Sequence, residues 1–215
     1  MKNFQKFIKK LEIELKQNLP GFSAQKLMAP LERKPPIEYL KENVIPRESA
    51  VLILVYPETN TFFPKIVLIE RAEAQGAVHS GQVSFPGGSF DKSDKSLHVT
   101  ALREAEEEIG VKPDGISLIG GLTPLYIPVS NFMVHPFIGA AYKRPEFLIH
   151  NKEVKEIIEI KMEELFSEAN KSKIVRHIKI KNLDIEVPCY NVIEKIIWGA
   201  TAMIISELEA VIKRI

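Results

Sequence analysis

Three glutamates near the middle of the chain have the types and the spacing of a site for a divalent cation. Glu104, Glu107 and Glu108 stand at positions i, i+3 and i+4, which lie on one side of an α-helix. Carboxylates this close repel one another and raise each other's pKa unless a cation lies among them. Because carboxylate oxygens suit a hard ion, Mg2+ or Mn2+ is the predicted cofactor. A solvated acidic face is the more common explanation of such a run, but the neighbouring residues argue against it.

A glycine turn and an arginine accompany the glutamates. Pro86, Gly87 and Gly88 predict a turn in which a backbone carbonyl can approach a ligand, because glycine has no Cβ. The Gly88 carbonyl is therefore a further candidate metal ligand. Arg103, four residues before Glu107, is predicted to orient a carboxylate through a charge-assisted hydrogen bond. The alternative for this arginine is an ordinary surface ion pair.

One amphipathic helix over residues 95–109 is predicted to carry these glutamates. One stripe of this helix is apolar and is expected to anchor it on a core: Leu97, Ala101, Leu102, Ala105 and Ile109. The glutamates lie on another side, so the helix can be anchored and still present carboxylates. Ser93 or Asp94 is placed to cap the start of the helix, and Gly110 is placed to end it.

Further helices and strands are indicated on both sides of this helix. Apolar residues recur at three- and four-residue steps from Phe4 to Leu19 and predict an amphipathic helix that ends before Pro20. Strands are predicted at 49–56, 64–71, 117–122, 133–141, 156–160, 174–180 and 184–187, with a short helix from about residue 162. Residues 190–215 are predicted to form one long helix. This mixture is typical of an α/β (α+β) protein with helices layered on a mixed sheet.

Length and composition indicate an ordinary globular protein. A chain of 215 residues suffices for one domain with elaborations at its ends, and a formal net charge of +1 gives no reason to expect a nucleic-acid partner. No apolar run has the length of a membrane span or the form of a signal peptide, so no membrane partner is expected. The single cysteine, Cys189, fits a reducing compartment, and a cytoplasmic location is expected.

The glycine turn and the acidic helix together resemble the Nudix box. That family pattern is G-x5-E-x7-R-E-U-x-E-E-x-G-U, with U a bulky apolar residue, and seven positions match: Gly88, Arg103, Glu104, Glu107, Glu108, Gly110 and Val111. Asp94 stands where the box has its first glutamate, and eight residues instead of seven separate it from Arg103. The resemblance implies metal-dependent hydrolysis of a diphosphate linked to another moiety. It also implies the Nudix fold, an α/β/α sandwich around a mixed β-sheet, with extra N-terminal and C-terminal helices here.

The residues before the box resemble a narrower signature, that of the coenzyme A pyrophosphatase subgroup of the Nudix family. Its first half corresponds to residues 68–72, which include Arg71, and its second half to residues 79–88, which begin with His79. A box that is longer by one residue, with aspartate at the first acidic position, is also a feature of this subgroup. Ile69 and Ala77 depart from the pattern, which has threonine and arginine at these places.

The resemblance implies roles for particular residues. The implied metal ligands are Glu104, Glu107, Glu108 and Gly88. The implied catalytic residues are Glu104, Glu107, Glu108 and Arg103. The implied substrate-binding residues are Arg71, His79, Gln82, Gly87 and Gly88. The sequence leaves open whether one of the glutamates or a carboxylate from a later loop is the general base.

Three functional hypotheses follow. The first is divalent-metal-dependent hydrolysis of a small-molecule substrate, coenzyme A or acyl-CoA, to 3′,5′-ADP and 4′-phosphopantetheine or its acyl form. The second is hydrolysis of another nucleotide diphosphate, such as ADP-ribose or a dinucleoside polyphosphate. The third is a Nudix-like module that binds a nucleotide without cleaving it, which the intact set of clustered carboxylates disfavours.

The Nudix hydrolase domain is expected to span residues 49–215 and to include the long C-terminal helix. Residues 1–48, an N-terminal helix followed by a proline-rich connector, are expected to pack on this domain. The apolar face of the N-terminal helix either closes the domain or forms the interface of a homodimer, and the sequence leaves both open.

Overall fold

Two β-sheets and a set of helices make up the protein, for which a computed structural model describes residues 2–30, 33–40, 44–58, 64–72, 81–149, 152–178 and 183–215. The helices are α1 (Lys2–Glu14), α2 (Phe22–Gln25), α3 (Pro36–Tyr39), α4 (Leu97–Ile109), α5 (Met162–Leu165) and α6 (Gly199–Ile212). The strands are β1 (Arg47–Pro57), β2 (Pro64–Arg71), β3 (Val83–Ser84), β4 (Gly87–Ser89), β5 (Ser117–Gly121), β6 (Leu125–Ile127), β7 (Phe132–Ala140), β8 (Val154–Lys161), β9 (Lys171–Ile178), β10 (Leu183–Val192) and β11 (Lys195–Trp198).

Strands β1 to β8 form a mixed sheet within the described ranges. Its main order is β3-β2-β1-β7-β5, with β4 beside β1, β6 beside β7 and β8 beside β2. Strands β1 and β7 run parallel over nine residue pairs, from Arg47↔Phe132 to Val55↔Ala140, and the other pairings are antiparallel. A second sheet, in the order β11-β10-β9, is antiparallel. The predicted mixed sheet of an α/β fold is confirmed.

The mixed sheet is covered on both faces, because successive side chains of a strand point to opposite sides. On β1, Leu52 and Leu54 join one apolar cluster with the buried residues of α4. Ile53 and Val55 join the other cluster, together with apolar residues of α1, α6 and the second sheet. Among the described helices, α4 is the one whose buried residues belong to the first cluster, and α4 also carries the acidic residues.

The predicted long C-terminal helix is wrong at its beginning. Strand β10 continues to Val192, β11 follows as its hairpin partner, and α6 begins only at Gly199. Ile193 and Glu194 form the two-residue turn, and their φ angles of 53° and 58° are left-handed. The apolar residues at 193, 196 and 197 fit a helical period, but β-branched residues also favour strands, so the periodicity alone could not decide.

Replacing the turn residues Ile193→Asn and Glu194→Gly together is expected to stabilise the protein. An asparagine–glycine pair suits a hairpin turn with two positive φ angles, whereas a β-branched isoleucine is strained there. The expected gain is about 1–2 kcal/mol, measured as a higher midpoint of thermal unfolding. Val175→Asn is the control, because Val175 is an exposed apolar residue in the extended strand β9. Equal effects of the two changes would show that the turn is not strained.

The N-terminal segment packs against the C-terminal helix. Phe4, Ile8 and Leu11 of α1 are buried in the same apolar cluster as α6, although α1 ends at Glu14, earlier than predicted. Glu207, fully buried on α6, accepts hydrogen bonds from Gly21 N at 3.0 Å and from Gln25, Thr123 N and the Thr123 hydroxyl. Among the described helices, none combines the length and the apolar character needed to span a membrane.

Candidate active site

Helix α4 places two of its glutamates, Glu104 and Glu108, against strand β4. Ala101, Ala105 and Ile109 are fully buried against the sheet, which confirms the predicted apolar stripe at these positions. Gly110 ends the helix in a left-handed conformation with a φ of 74°, as predicted. The predicted N-terminal caps are wrong: the helix begins at Leu97, after Ser96, and no side chain caps it.

Asp94 binds Arg103 instead of capping the helix. Its two carboxylate oxygens accept hydrogen bonds from Arg103 Nε and Nη2, both at 3.0 Å. Thr100 donates a further bond of 2.8 Å to this carboxylate, which is buried. The bonds from the Arg103 guanidinium hold the pKa of Asp94 well below its usual range. Asp94 is therefore an ionised anchor for the arginine.

Arg103 in turn orients the carboxylates of α4. Its Nη1 donates to Glu104 Oε1 at 2.8 Å and to Glu107 Oε2 at 3.0 Å, and its Nη2 also reaches the carbonyl of Ser89 at 3.2 Å. Arg103 thus contacts two of the glutamates and a backbone carbonyl, which is more than the single ion pair that the sequence predicted. A guanidinium with its donors directed at four partners fixes the carboxylate positions more firmly than a lysine could.

Gly88 is the point where strand β4 meets the carboxylate of Glu104. A Cβ added to Gly88 would lie 2.5 Å from Glu104 Cδ and 2.5–2.6 Å from its two carboxylate oxygens. The glycine is needed here because the carboxylate occupies the space of a side chain. Strand β4 pairs with β1 through Ala50↔Gly88, so the contact is positioned by the sheet.

Glu108 is the most buried of the three glutamates, with 1% of its surface exposed. Its Oε2 accepts a hydrogen bond of 2.9 Å from Gly87 N, and its Oε1 lies 3.4 Å from Arg71 Nη1. Burial raises the pKa of Glu108 to about 7, while the bond from Gly87 N and the charge of Arg71 act in the opposite direction. Burial likewise raises the pKa of Glu104, against the effect of Arg103.

A cavity of about 320 Å3 brings these residues together with one that the sequence did not single out. It is lined by residues 87–89, Arg71, Glu104, Glu107 and Glu153. Glu153 precedes β8, and its Oε2 lies 3.4 Å from Arg71 Nη2. No motif pointed to Glu153, because the residue reaches the cavity through the pairing of β8 with β2.

The other predicted substrate-binding residues differ in their placement. Gln82 lies beside β2, and its carbonyl accepts a hydrogen bond of 3.0 Å from Arg71 N. Gly87 lines the cavity and donates to Glu108, while Arg71 lines it with its side chain. His79 lies outside the described residues.

The donor set suits a hard divalent ion, although its carboxylates are not gathered around one point. Within the described part of the chain, no group of three or more histidine, cysteine, aspartate or glutamate side chains is arranged to hold a metal. Arg103 holds Glu104 and Glu107, and Glu108 is turned to Gly87 N. Burial and mutual repulsion make the charged forms of Glu104 and Glu108 costly, and a cation among them would relieve both effects. The site thus fits Mg2+ or Mn2+ chemically, and the ligand set stays a prediction.

Metal-free protein is expected to lose stability as the pH rises from about 4 to about 7. Glu108 has a folded-state pKa of about 7, above the ordinary glutamate value of about 4.3, so the folded state holds a proton that the unfolded state releases. The stabilisation is complete below the ordinary value and disappears as the pH rises through about 7, at a cost on the order of 2–4 kcal/mol.

Thermal unfolding in a chelator, compared between the wild type and Glu108→Gln, measures this effect. The neutral glutamine removes the titration, so the variant is expected to lose less stability over the same range, and to be the more stable protein at pH 8. Parallel pH profiles of the two proteins would contradict a raised pKa at Glu108.

Comparison with known proteins gives a consistent set of similarities. The model of the NUDIX domain family matches residues 46–179. The chain is 34% identical over 163 residues to the uncharacterized Nudix hydrolase NudL of Pectobacterium atrosepticum, covering 75% of this chain and 81% of that protein. NudL of Yersinia pestis is 35% identical over 164 residues, covering 75% and 78%.

A solved structure is similar in fold. The MutT/nudix family protein from Enterococcus faecalis superposes with a TM-score of 0.51, covering 85% of this chain and 71% of that chain. The two sequences are 17% identical in this comparison, so the similarity concerns the fold alone.

Proposed function

Because the chain belongs to the Nudix domain family and is a Nudix hydrolase, acting on the diphosphate bond of nucleoside diphosphate derivatives, we propose that its substrate is coenzyme A or acyl-CoA. Cleavage would give 3′,5′-ADP and 4′-phosphopantetheine or its acyl form. Nudix hydrolases generally use divalent metal ions, and we propose Mg2+ or Mn2+ as the ion here.

One observation carries the choice of substrate. The two halves of the segment that resembles the coenzyme A signature meet at the cavity, through the hydrogen bond of 3.0 Å from Arg71 N to Gln82 O. From Gln82 the chain continues through β3 to Gly87 and Gly88, which line the same cavity as Arg71. Signature residues that line the cavity are in a position to contact the substrate, and this supports coenzyme A over other diphosphates.

The carboxylates of α4 are proposed to hold the metal. Glu104 and Glu107 line the cavity, and the buried Glu108 contacts two residues of its lining, Arg71 and Gly87. A bound divalent ion would neutralise charge on the diphosphate and make a water more acidic. Arg103 keeps the carboxylates in place, and Gly87 and Gly88 let the β4 backbone come close to the substrate because they carry no side chain.

Glu153 is proposed as the general base. Its carboxylate faces the cavity from a different element than the other three glutamates, and 68% of the side chain is exposed to solvent. An exposed carboxylate across the cavity from the proposed metal ligands is suited to take a proton from an attacking water. Glu108 is less suited to this role, because it is buried and bonded to Gly87 N.

A substrate panel tests the proposal. Coenzyme A, an acyl-CoA, ADP-ribose and a dinucleoside polyphosphate are incubated with the protein and Mg2+ or Mn2+, and the products are identified by mass spectrometry. The highest kcat/KM is expected for coenzyme A or acyl-CoA, with 3′,5′-ADP as a product. Cleavage of ADP-ribose with no turnover of either coenzyme would refute the proposed substrate. Tight binding of coenzyme A without turnover of any diphosphate would favour a binding module, which the clustered carboxylates Glu104, Glu107 and Glu108 disfavour.

A further inference from the structure

The two arginines of the cavity are held very differently. Arg103 donates to its partners at distances of 2.8–3.2 Å, within the range of strong charge-assisted hydrogen bonds. Arg71 lies 3.4 Å from Glu108 Oε1 and 3.4 Å from Glu153 Oε2, which is the weak end of the range. Arg103 is therefore fixed, while the guanidinium of Arg71 is weakly held between two carboxylates.

The backbone of Arg71, in contrast to its side chain, is firmly positioned. Arg71 N donates to Gln82 O at 3.0 Å, and the next residue, Ala72, donates to the carbonyl of Glu153 at 2.6 Å. The pairing of β2 with β8 shifts register between Glu70 and Arg71, which places Arg71 at an irregularity in the sheet. A long side chain on a fixed backbone can move its charge from one partner to another without disturbing the fold.

We infer that the guanidinium of Arg71 moves from the carboxylates of the cavity to the bound substrate. In the metal-free protein its guanidinium partly neutralises Glu108 and Glu153. On metal binding it leaves them and takes a phosphate group of the diphosphate. This inference rests on the proposed metal site and extends it to the order of events.

Charge explains the transfer. A divalent ion held by the carboxylates of α4 would bring positive charge close to Arg71, whose Nη1 lies 3.4 Å from Glu108 Oε1, and two nearby cations repel each other. A phosphate of the diphosphate offers the guanidinium two oxygens for a bidentate contact, whereas each carboxylate now makes only one contact, at 3.4 Å. Metal and substrate therefore favour each other's binding.

Mn2+ affinity, measured by calorimetry without substrate, tests this inference. Arg71→Ala removes the competing cation, so Mn2+ is expected to bind roughly threefold to tenfold more tightly than to the wild type. The same change is expected to raise KM for the best diphosphate substrate at least tenfold, because the phosphate loses its partner. Arg71→Lys keeps the charge and is expected to leave the Mn2+ affinity near the wild-type value.

Arg214→Ala serves as the control for net charge, because Arg214 binds Glu14 and the carbonyl of Asn18, far from the cavity in the fold. Mn2+ affinity that is unchanged or weaker in Arg71→Ala, in protein that melts like the wild type, would overturn the inference. Equally tight Mn2+ binding in Arg71→Lys and Arg71→Ala would also overturn it, since size and not charge would then matter. Neither readout depends on coenzyme A being the substrate, so a failure here is distinct from a failure of the proposed function.

Discussion

Glu108→Gln is expected to lower kcat by roughly a thousandfold, with little change in the folded structure. The substitution removes one negative charge from the proposed metal ligands, while the amide oxygen of glutamine can still accept the hydrogen bond from Gly87 N. The loss corresponds to about 4 kcal/mol of transition-state stabilisation, which is within the contribution of a metal ion to such a reaction. The measurement is steady-state turnover of the best diphosphate substrate at saturating Mg2+ or Mn2+.

Glu106→Gln is the matched control for this prediction. Glu106 lies on the same helix two residues away and is exposed, whereas Glu108 is buried and bonded to Gly87 of the cavity. The Glu106→Gln substitution changes the net charge by the same amount as Glu108→Gln, and the turnover of this variant is expected to stay within about twofold of the wild type. Equal losses in the two variants would mean that overall charge matters and that Glu108 has no special role. Full activity of Glu108→Gln would remove this residue from the metal site.

Gly88→Ala and Gly87→Ala are expected to fail in different ways. At Gly88 the new Cβ would meet the end of the Glu104 side chain at 2.5 Å, and a flexible side chain can move aside. The fold is then retained, with a loss of about 1 kcal/mol or less, while kcat falls roughly a hundredfold because Glu104 is displaced. At Gly87 the Cβ would meet Ala50 O at 2.3 Å and Val51 Cα at 2.6 Å, which are backbone atoms.

The backbone of β1 cannot move aside without opening its pairing with β4. Gly87 also has a φ of 157°, a conformation that residues with a side chain rarely adopt. Gly87→Ala is therefore expected to destabilise the protein by about 3 kcal/mol or more. Thermal unfolding and turnover, measured on both variants, separate the two effects. A stable and active Gly88→Ala would show that Glu104 does not need its present position.

The acidic helix could be predicted because its signals are local. The glutamate spacing and the apolar stripe follow the helical period, and Gly110 adopts the left-handed conformation that ends a helix. A run of β-branched residues predicted strand β2 with the bounds 64–71. The structure confirms the strand and buries its residues on both faces of the sheet. The hairpin at Ile193 and Glu194 could not be predicted, because neither residue is typical of a turn with positive φ.

The site contacts that could not be predicted are those between residues that are distant in the sequence. Glu153 reaches the cavity only through the pairing of β8 with β2, and a lone glutamate before a strand carries no signal of its own. Asp94 was predicted as a helix cap or as the first acidic position of the box. Its two bonds to Arg103 depend on how the residues before α4 fold back on the helix.

The bond between Asp94 and Arg103 explains how this chain tolerates an altered signature. Aspartate is one methylene shorter than glutamate, and one additional residue separates it from the arginine. Both oxygens nevertheless reach the guanidinium at 3.0 Å. Loop length and side-chain length therefore compensate for each other. A change of loop length and an exchange of aspartate for glutamate are therefore expected to have non-additive effects on stability, because both act on the same contact.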